Sequence, residues 1–255
     1  MLNLIALATL ATATEGVPFI HVGDHSVTAK NLKPFTNYFK LHLVAPDGTV
    51  TEKGDWSDRL EEVSIDGKKV WKRTQVATPP KGSPQTFVNV FDESTASPIS
   101  SEFSTKRGVF YRRQFKGATI ERESLLLEKM PAVWPTVVPR GQADHMETKL
   151  QEPVFDFAGG MFGILLSCFP LKEGYKVTFP FIAQFGETYQ TATTEVQGRE
   201  KIRTPAGVFD CYKVYTEQPA GHLTCWLANK APYLIKVDAF GANYGDTIFE
   251  MADPK

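Results

Sequence analysis

No run in this 255-residue sequence is apolar for long enough to cross a membrane as a helix, which takes about 20 residues. The longest, "FDFAGGMFGILLSCFPLKEGY" at 155–175, is cut by Asp156 on one side and by Pro170 and Lys172 on the other. Charge of one sign is also missing. Lys and Arg number 28 against 29 Asp and Glu, a net charge of -1, so no field gathers nucleic acid or an anionic surface. Cysteines are few and odd in number: Cys168, Cys211 and Cys225 leave at least one thiol without an internal partner, which argues against a disulfide framework. With no CxxC and distant histidines, they form no zinc pattern. GxSxG, HExxH, P-loop and Rossmann fingerprints are absent; "GGMFG" lacks the Lys and Ser or Thr that hold phosphate and magnesium. Hydrophobic residues at 42% and charged residues at 22% nonetheless describe a folded, globular chain.

What is there is strand signal. Segments rich in β-branched and aromatic residues recur between turn signals: "FTNYFKLHLV", "RLEEVSI", "KVWKRTQV", "QTFVNVFD", "SSEFST", "GVFYRRQF" and "ATIERESLLLE". Asp47-Gly48, Asp66-Gly67, Pro79-Pro80-Lys81-Gly82 and Lys116-Gly117 punctuate them, and "SIDGKKVW" predicts the sharpest hairpin. Residues 129–153, with four prolines, predict an irregular crossing, a connector in preference to a lid or an interdomain linker. Residues 22–255 are expected to form one domain. The segment before it, "MLNLIALATLATATEGVP", places a small-x-small site at Ala11-Thr12-Ala13 after an apolar stretch, so 1–21 reads as an export signal or a poorly ordered terminus. The expected location is periplasmic or otherwise exported.

Toward the carboxyl end, "TPAG" at 204–207 and "QPAG" at 218–221 predict tight turns between "TTEVQGREKIR", "VFDCYKVYTE" and "HLTCWLA", with "YLIKVDAF" following. If Glu217 pairs with His222, Val214 lies beside Cys225 and Cys211 points to the other face, which disfavours a Cys211–Cys225 bridge.

The apolar run predicts a short helix near 158–169. Met161, Leu165 and Cys168 form one stripe, Phe162, Leu166 and Phe169 another, and Gly160, Gly163 and Ser167 a track of small residues, with Asp156 at the amino-terminal dipole. Such a helix is covered nearly all round, so it belongs in the hollow of a curved sheet. Two readings stand: a plain core helix, which is preferred, and a plug over an incompletely filled hollow that accepts an apolar ligand. On a strand, Arg112 and Arg113 point to opposite faces. An inward Arg suits an acidic or phosphate head with Glu121 or Glu123 as its resting partner; a surface ion pair is the plainer alternative. His21, Asp24 and His25 have metal-like spacing only on a helix, which Gly23 opposes, and Asp144, His145 and Glu147 form an acid–base group without a nucleophile. No metal or cofactor is expected.

The succession of a strand-rich first half, "VFDFAGGMFGILLSCFPLKEGY", "VQGREKIRTPAGVFDCYKVY" and "CWLANKAPYLIKVDAF" resembles a family of exported bacterial domains of unknown function. The resemblance is best over roughly residues 85–240, and that family is similar in architecture to the periplasmic lipoprotein carriers of the Lol system. The resemblance implies a mainly β (α+β) fold: a curved antiparallel sheet, an unclosed barrel, around helices that plug its concave face. It carries over no catalytic residues. The expected function is a non-catalytic envelope carrier for a hydrophobic or amphiphilic ligand, touched by Met161, Phe162, Leu165, Leu166, Phe169, Arg112, Arg113 and Trp226. The alternatives are an enzyme on an envelope lipid or polysaccharide, and a scaffold binding another envelope protein. A lipid or amphiphile is the expected partner; nucleic acid is not.

Overall fold

In the computed structural model, residues 16–81, 84–104, 109–126, 144–157, 161–182, 187–241 and 246–253 are described. The segment on which an export signal is expected lies almost wholly outside them. The strands are β1 (Phe35–Val44), β2 (Val50–Ile65), β3 (Lys68–Thr78), β4 (Gln85–Asp92), β5 (Pro98–Ser104), β6 (Val109–Lys116), β7 (Thr119–Leu126), β8 (Asp144–Lys149), β9 (Lys176–Ile182), β10 (Tyr189–Thr204), β11 (Gly207–Gln218), β12 (Gly221–Leu227), β13 (Leu234–Phe240) and β14 (Thr247–Ala252). All fourteen pair antiparallel in one sheet, ordered β8-β7-β6-β5-β4-β3-β2-β1-β14-β13-β12-β11-β10-β9.

Local chemistry sets most of these pairings. Asp66 and Gly67 both take positive φ, as a two-residue turn that matches strand twist requires, and β2 and β3 pair from Ile65 and Lys68 back to Asp55 and Thr78. Two-residue turns at Pro205-Ala206 and Pro219-Ala220 link β10, β11 and β12, with Glu217 opposite His222 and Val214 opposite Cys225, as the sequence predicts. Cys225 accordingly joins the inner core while Cys211 packs on the outer face with Trp226 and Ile235, and all three thiols are free.

The sheet is strongly curled. β6 and β10 stand ten places apart, roughly 50 Å in a flat sheet at the usual strand spacing. Yet Arg113 of β6 meets Glu187, two residues before β10, at 2.9 Å. Edge strands β8 and β9 do not pair with each other, so the barrel stays unclosed. Other segments cover the seam. Pro18–Ile20 and Phe155 bond the free edge of β9, and Val154 packs between Ile120 of β7 and Ile182 of β9. Residues 18–33 close one end of the barrel, where the Trp71 indole N–H donates to the Ala29 carbonyl and Ala29 N–H to the Ser94 carbonyl.

Two expectations need correction. The crossing is not irregular throughout, because 144–149 form β8; residues 127–143 lie outside the described ones. The apolar run is in the hollow but is not the short helix expected near 158–169. Among the described residues, Met161 N–H donates to the Asp156 carbonyl, turns run through Leu165, and a single 3-10 turn follows at Leu166–Cys168. The reason is Gly163, whose φ of +73° no α-helix tolerates. A Cβ there would also stand 2.9 Å from the Leu234 methyl carbons, which would have to give way; the positive φ is what calls for glycine. Buried coil must find partners for its backbone groups. The Phe162 carbonyl receives one from Arg73 Nη1 at 2.9 Å, and the Gly163 carbonyl one from the Ser167 hydroxyl at 3.2 Å.

Candidate functional site

Antiparallel register carries one row of polar side chains across five neighbouring strands of the concave face. Arg73 of β3 lies opposite Asn89 of β4, Asn89 opposite Ser101 of β5, Ser101 opposite Arg113 of β6, and Arg113 opposite Arg122 of β7. The first four are sealed from solvent, and only Arg122 keeps part of its side chain, 21%, in contact with water. Burying so many polar groups is costly unless each is paired.

Pairing comes from three carboxylates. Asp58 of β2 grips Arg73 through two bonds, Nε to Oδ1 at 2.8 Å and Nη2 to Oδ2 at 2.6 Å. Glu187 is shared between two guanidiniums: Arg113 Nε and Nη2 reach its Oε1 at 3.0 and 2.9 Å, and Arg122 Nη1 reaches Oε2 at 2.6 Å. Asp156, from the coil plug, accepts from Asn89 Nδ2 at 2.6 Å and stands 3.9 Å from Arg113 Nη1. The Ser101 hydroxyl lies beside it without reaching hydrogen-bond geometry. Burial outweighs these neighbours and pushes the Asp156 carboxyl up to about 6. Asn89 Oδ1, Asp156 Oδ1 and Arg122 Nε are buried atoms with no hydrogen-bond partner. The stripe is therefore paired but not saturated.

Two residues along each of these strands, and so on the same face, runs a row of aromatic rings. Phe87, Phe103 and Tyr111 are direct cross-strand partners, stacked with centroids 6.4 and 4.8 Å apart, and Trp56 stacks on Phe87 at 5.5 Å. Phe162 and Phe249 meet Trp56 edge-on. Phe103 is buried while Trp56, Phe87, Tyr111, Phe162 and Phe249 are half-buried. Each of the three arginines lies over one of these rings: Arg73 over Phe162 at 5.5 Å, Arg113 over Phe103 at 4.9 Å and Arg122 over Tyr111 at 5.4 Å. Cation–π contacts of this kind contribute about 0.5–2 kcal/mol each.

The residues singled out from sequence do not come together in one place. Of the two arginines expected on opposite faces, Arg113 is the one that faces inward, and its partner is Glu187 rather than Glu121 or Glu123. Arg112 faces outward, bonding Glu102 at 2.6 Å with Glu123 at 3.9 Å. Met161, Leu165 and Leu166 are sealed in the core, and Phe162 joins the aromatic row. Phe169 edges a cleft of about 390 Å³ at the opposite end of the barrel, between Asn31, Leu171 and Tyr233, which no charged side chain lines. Trp226 lies on the convex face, bonded to Glu200 and under Lys236, away from the others. Asp156 serves no helix dipole; it belongs to the polar stripe. His21 pairs with Glu152, and Asp24 with the Ser26 N–H and hydroxyl, whose bonds hold its carboxyl below the usual range. Asp144, His145 and Glu147 lie on exposed β8, where alternation turns Asp144 away from the other two. Burial pushes the Cys168 and Cys225 thiols up to about 12, far from a nucleophile's range.

Arg122 was within reach of the sequence: a two-residue turn at Gly117-Ala118 pairs Lys116 with Thr119 and hence Arg113 with Arg122. Glu187 was not, because no local rule links it to β6.

Fold and interior together define an unclosed, mainly β barrel with a coil plug, a polar stripe and an aromatic row. The chain belongs to the family of proteins of unknown function DUF3108, whose model matches residues 110–245. Among solved structures it is similar to a β-barrel-like protein of the domain of unknown function DUF1849 from Brucella abortus. That likeness has 10% identity, 88% of this chain and 97% of that one covered, and a TM-score of 0.42. It is also similar to a Bacteroides fragilis protein described as exported, with a YmcC-like fold, at 11% identity, covering 86% of this chain and 94% of that one, TM-score 0.35. No curated protein matches the sequence.

Proposed function

We propose that the protein is a non-catalytic carrier or binding module for a hydrophobic or amphiphilic ligand in the cell envelope. The observation that carries this reading is the half-buried aromatic row on the concave face, backed by three guanidiniums. Small-molecule sites are concave and mostly apolar, with few placed polar groups, and that is the composition of this face. The amino-terminal segment with Ala11-Thr12-Ala13 and the resemblance of the later motifs to a family of exported bacterial domains favour an exported location. The ligand's place in this reading is the end lined by Trp56, Phe87 and Tyr111, whose rings keep part of their surface exposed while Met161 and Leu165 are fully buried.

Native mass spectrometry of protein purified from its own envelope tests the reading. A lipid or fatty acid carried through purification supports it. Protein that arrives bare, and takes up nothing from phosphatidylglycerol–phosphatidylethanolamine vesicles, overturns it.

A further inference from the structure

The Arg113–Arg122 pair is more specific than a general apolar site. Two guanidiniums from neighbouring strands converge on one carboxylate, that of Glu187, which comes from the far side of the barrel. Glu187 occupies this position from a strained backbone: its φ is +43°, a region few residues other than glycine adopt. Bidentate guanidinium contacts are the geometry that recognises carboxylate and phosphate groups. Arg122 reaches the surface, its Nε has no partner, and its plane lies over Tyr111, the outermost ring of the aromatic row. A charged head and an apolar tail thus have adjoining places.

We propose that Arg113 and Arg122 form the head-group site for an anionic amphiphile, a carboxylate or phosphate on an alkyl chain. Glu187 is the internal carboxylate that holds the site until the ligand's head displaces it, and Tyr111, Phe103 and Phe87 receive the first part of the tail. This rests on the carrier reading above and adds the sign of the head and the residues that bind it.

Titration calorimetry with dodecanoate, dodecyl phosphate and dodecanol, each below its micellar concentration, tests both. In Glu187→Gln, which keeps the shape but removes the competing charge, the two anions bind about ten-fold more tightly. In Arg122→Gln, at the partly exposed member of the pair, they bind about ten-fold more weakly. Dodecanol stays within about two-fold throughout, since it gains no charge-assisted bond. The ratio of dodecanoate to dodecyl phosphate affinity in the unaltered protein says which head the site prefers. Binding of all three probes that neither substitution changes, or changes alike for anion and alcohol, overturns the head-group site and leaves the carrier standing. No binding of any probe to the unaltered protein overturns the carrier reading and the head-group site with it. Should Glu187→Gln fail to fold, Arg122→Gln alone decides.

Discussion

The concave faces of the two halves of the sheet are built on opposite principles. From β9 to β14 the inward positions include Val177, Phe179, Phe181, Val196, Val214, Leu223, Cys225 and Val237, a mostly apolar wall in which Thr194 and Thr216 bond each other at 2.9 Å, and it meets the apolar side of the coil plug. Phe155 and Phe157 pack edge-to-face on Phe179 there. From β3 to β7 the inward positions carry Arg73, Asn89, Ser101, Arg113 and Arg122, and the same plug answers them with Asp156 and the Phe162 carbonyl. One segment is thus two-sided by alternation: Phe155 and Phe157 turn to one wall while Asp156, between them, turns to the other. The apolar wall holds by area, whereas the polar wall holds only while its partners are matched. The proposed head-group site lies on the second, where an unsaturated set of paired charges gains from a new partner as a packed wall does not.

The largest expected effects come from breaking each wall. Arg73→Ala leaves Asp58 buried and unpaired, and Phe179→Ala opens a cavity; each costs about 3–5 kcal/mol in urea unfolding. The halves separate in the rescue. Arg73→Met combined with Asp58→Leu recovers most of the loss because both charges leave together, while no single partner change restores the cavity at Phe179. If the double replacement is as unstable as Arg73→Ala, the stripe is not held by matched charge.

Next in size is the pH response of Asp156, which faces Asn89 of β4, Ser101 of β5 and Arg113 of β6. Its carboxyl is raised to about 6 in the fold against 3.8 when unperturbed. Between these values the folded state holds a proton that the unfolded chain has released, so this group's contribution to stability falls as pH rises from about 4 to 6. Above that the penalty stays constant at roughly 3 kcal/mol. Asp156→Asn should therefore raise the melting temperature at pH 7.5 and flatten its slope between pH 4 and 6. A steeper slope in the variant runs against the assignment.

Smaller still is the contrast between adjacent arginines. Arg112→Ala, removing a pair on the outer face, changes stability by about 0–1 kcal/mol, against several for Arg113→Ala one residue on. Equal losses contradict the inside–outside alternation. The smallest signal is a null one: non-reducing mass measurement finds Cys211 and Cys225 unbridged, since they occupy opposite faces of the sheet.

Much of this was legible in the sequence because it is local. β1 and β4 follow their apolar alternation to the residue, the Asp66-Gly67 and Pro-Ala turns state their own geometry, and the β11–β12 register follows from one turn. β8 and β9 were not legible: "DHMETK" is polar and exposed, and "KVTFPFI" carries Pro180, which argues against a strand unless, as here, the strand is at an edge. The apolar run shows the limit most plainly. Helical spacing of Met161, Leu165 and Cys168 is real, but periodicity does not register that Gly163 turns left-handed between them.

By itself the sequence determined an all-antiparallel meander, its hairpins and the opposite facing of Arg112 and Arg113, since turns and alternation act over a few residues. Only the tertiary structure decided that the sheet curls until Glu187 meets Arg113, and that Asp156 lies inside the polar stripe. It alone aligned Phe87, Phe103 and Tyr111 with the arginines behind them. Those contacts join residues as many as 74 positions apart, and they exist only once fourteen strands share one curvature.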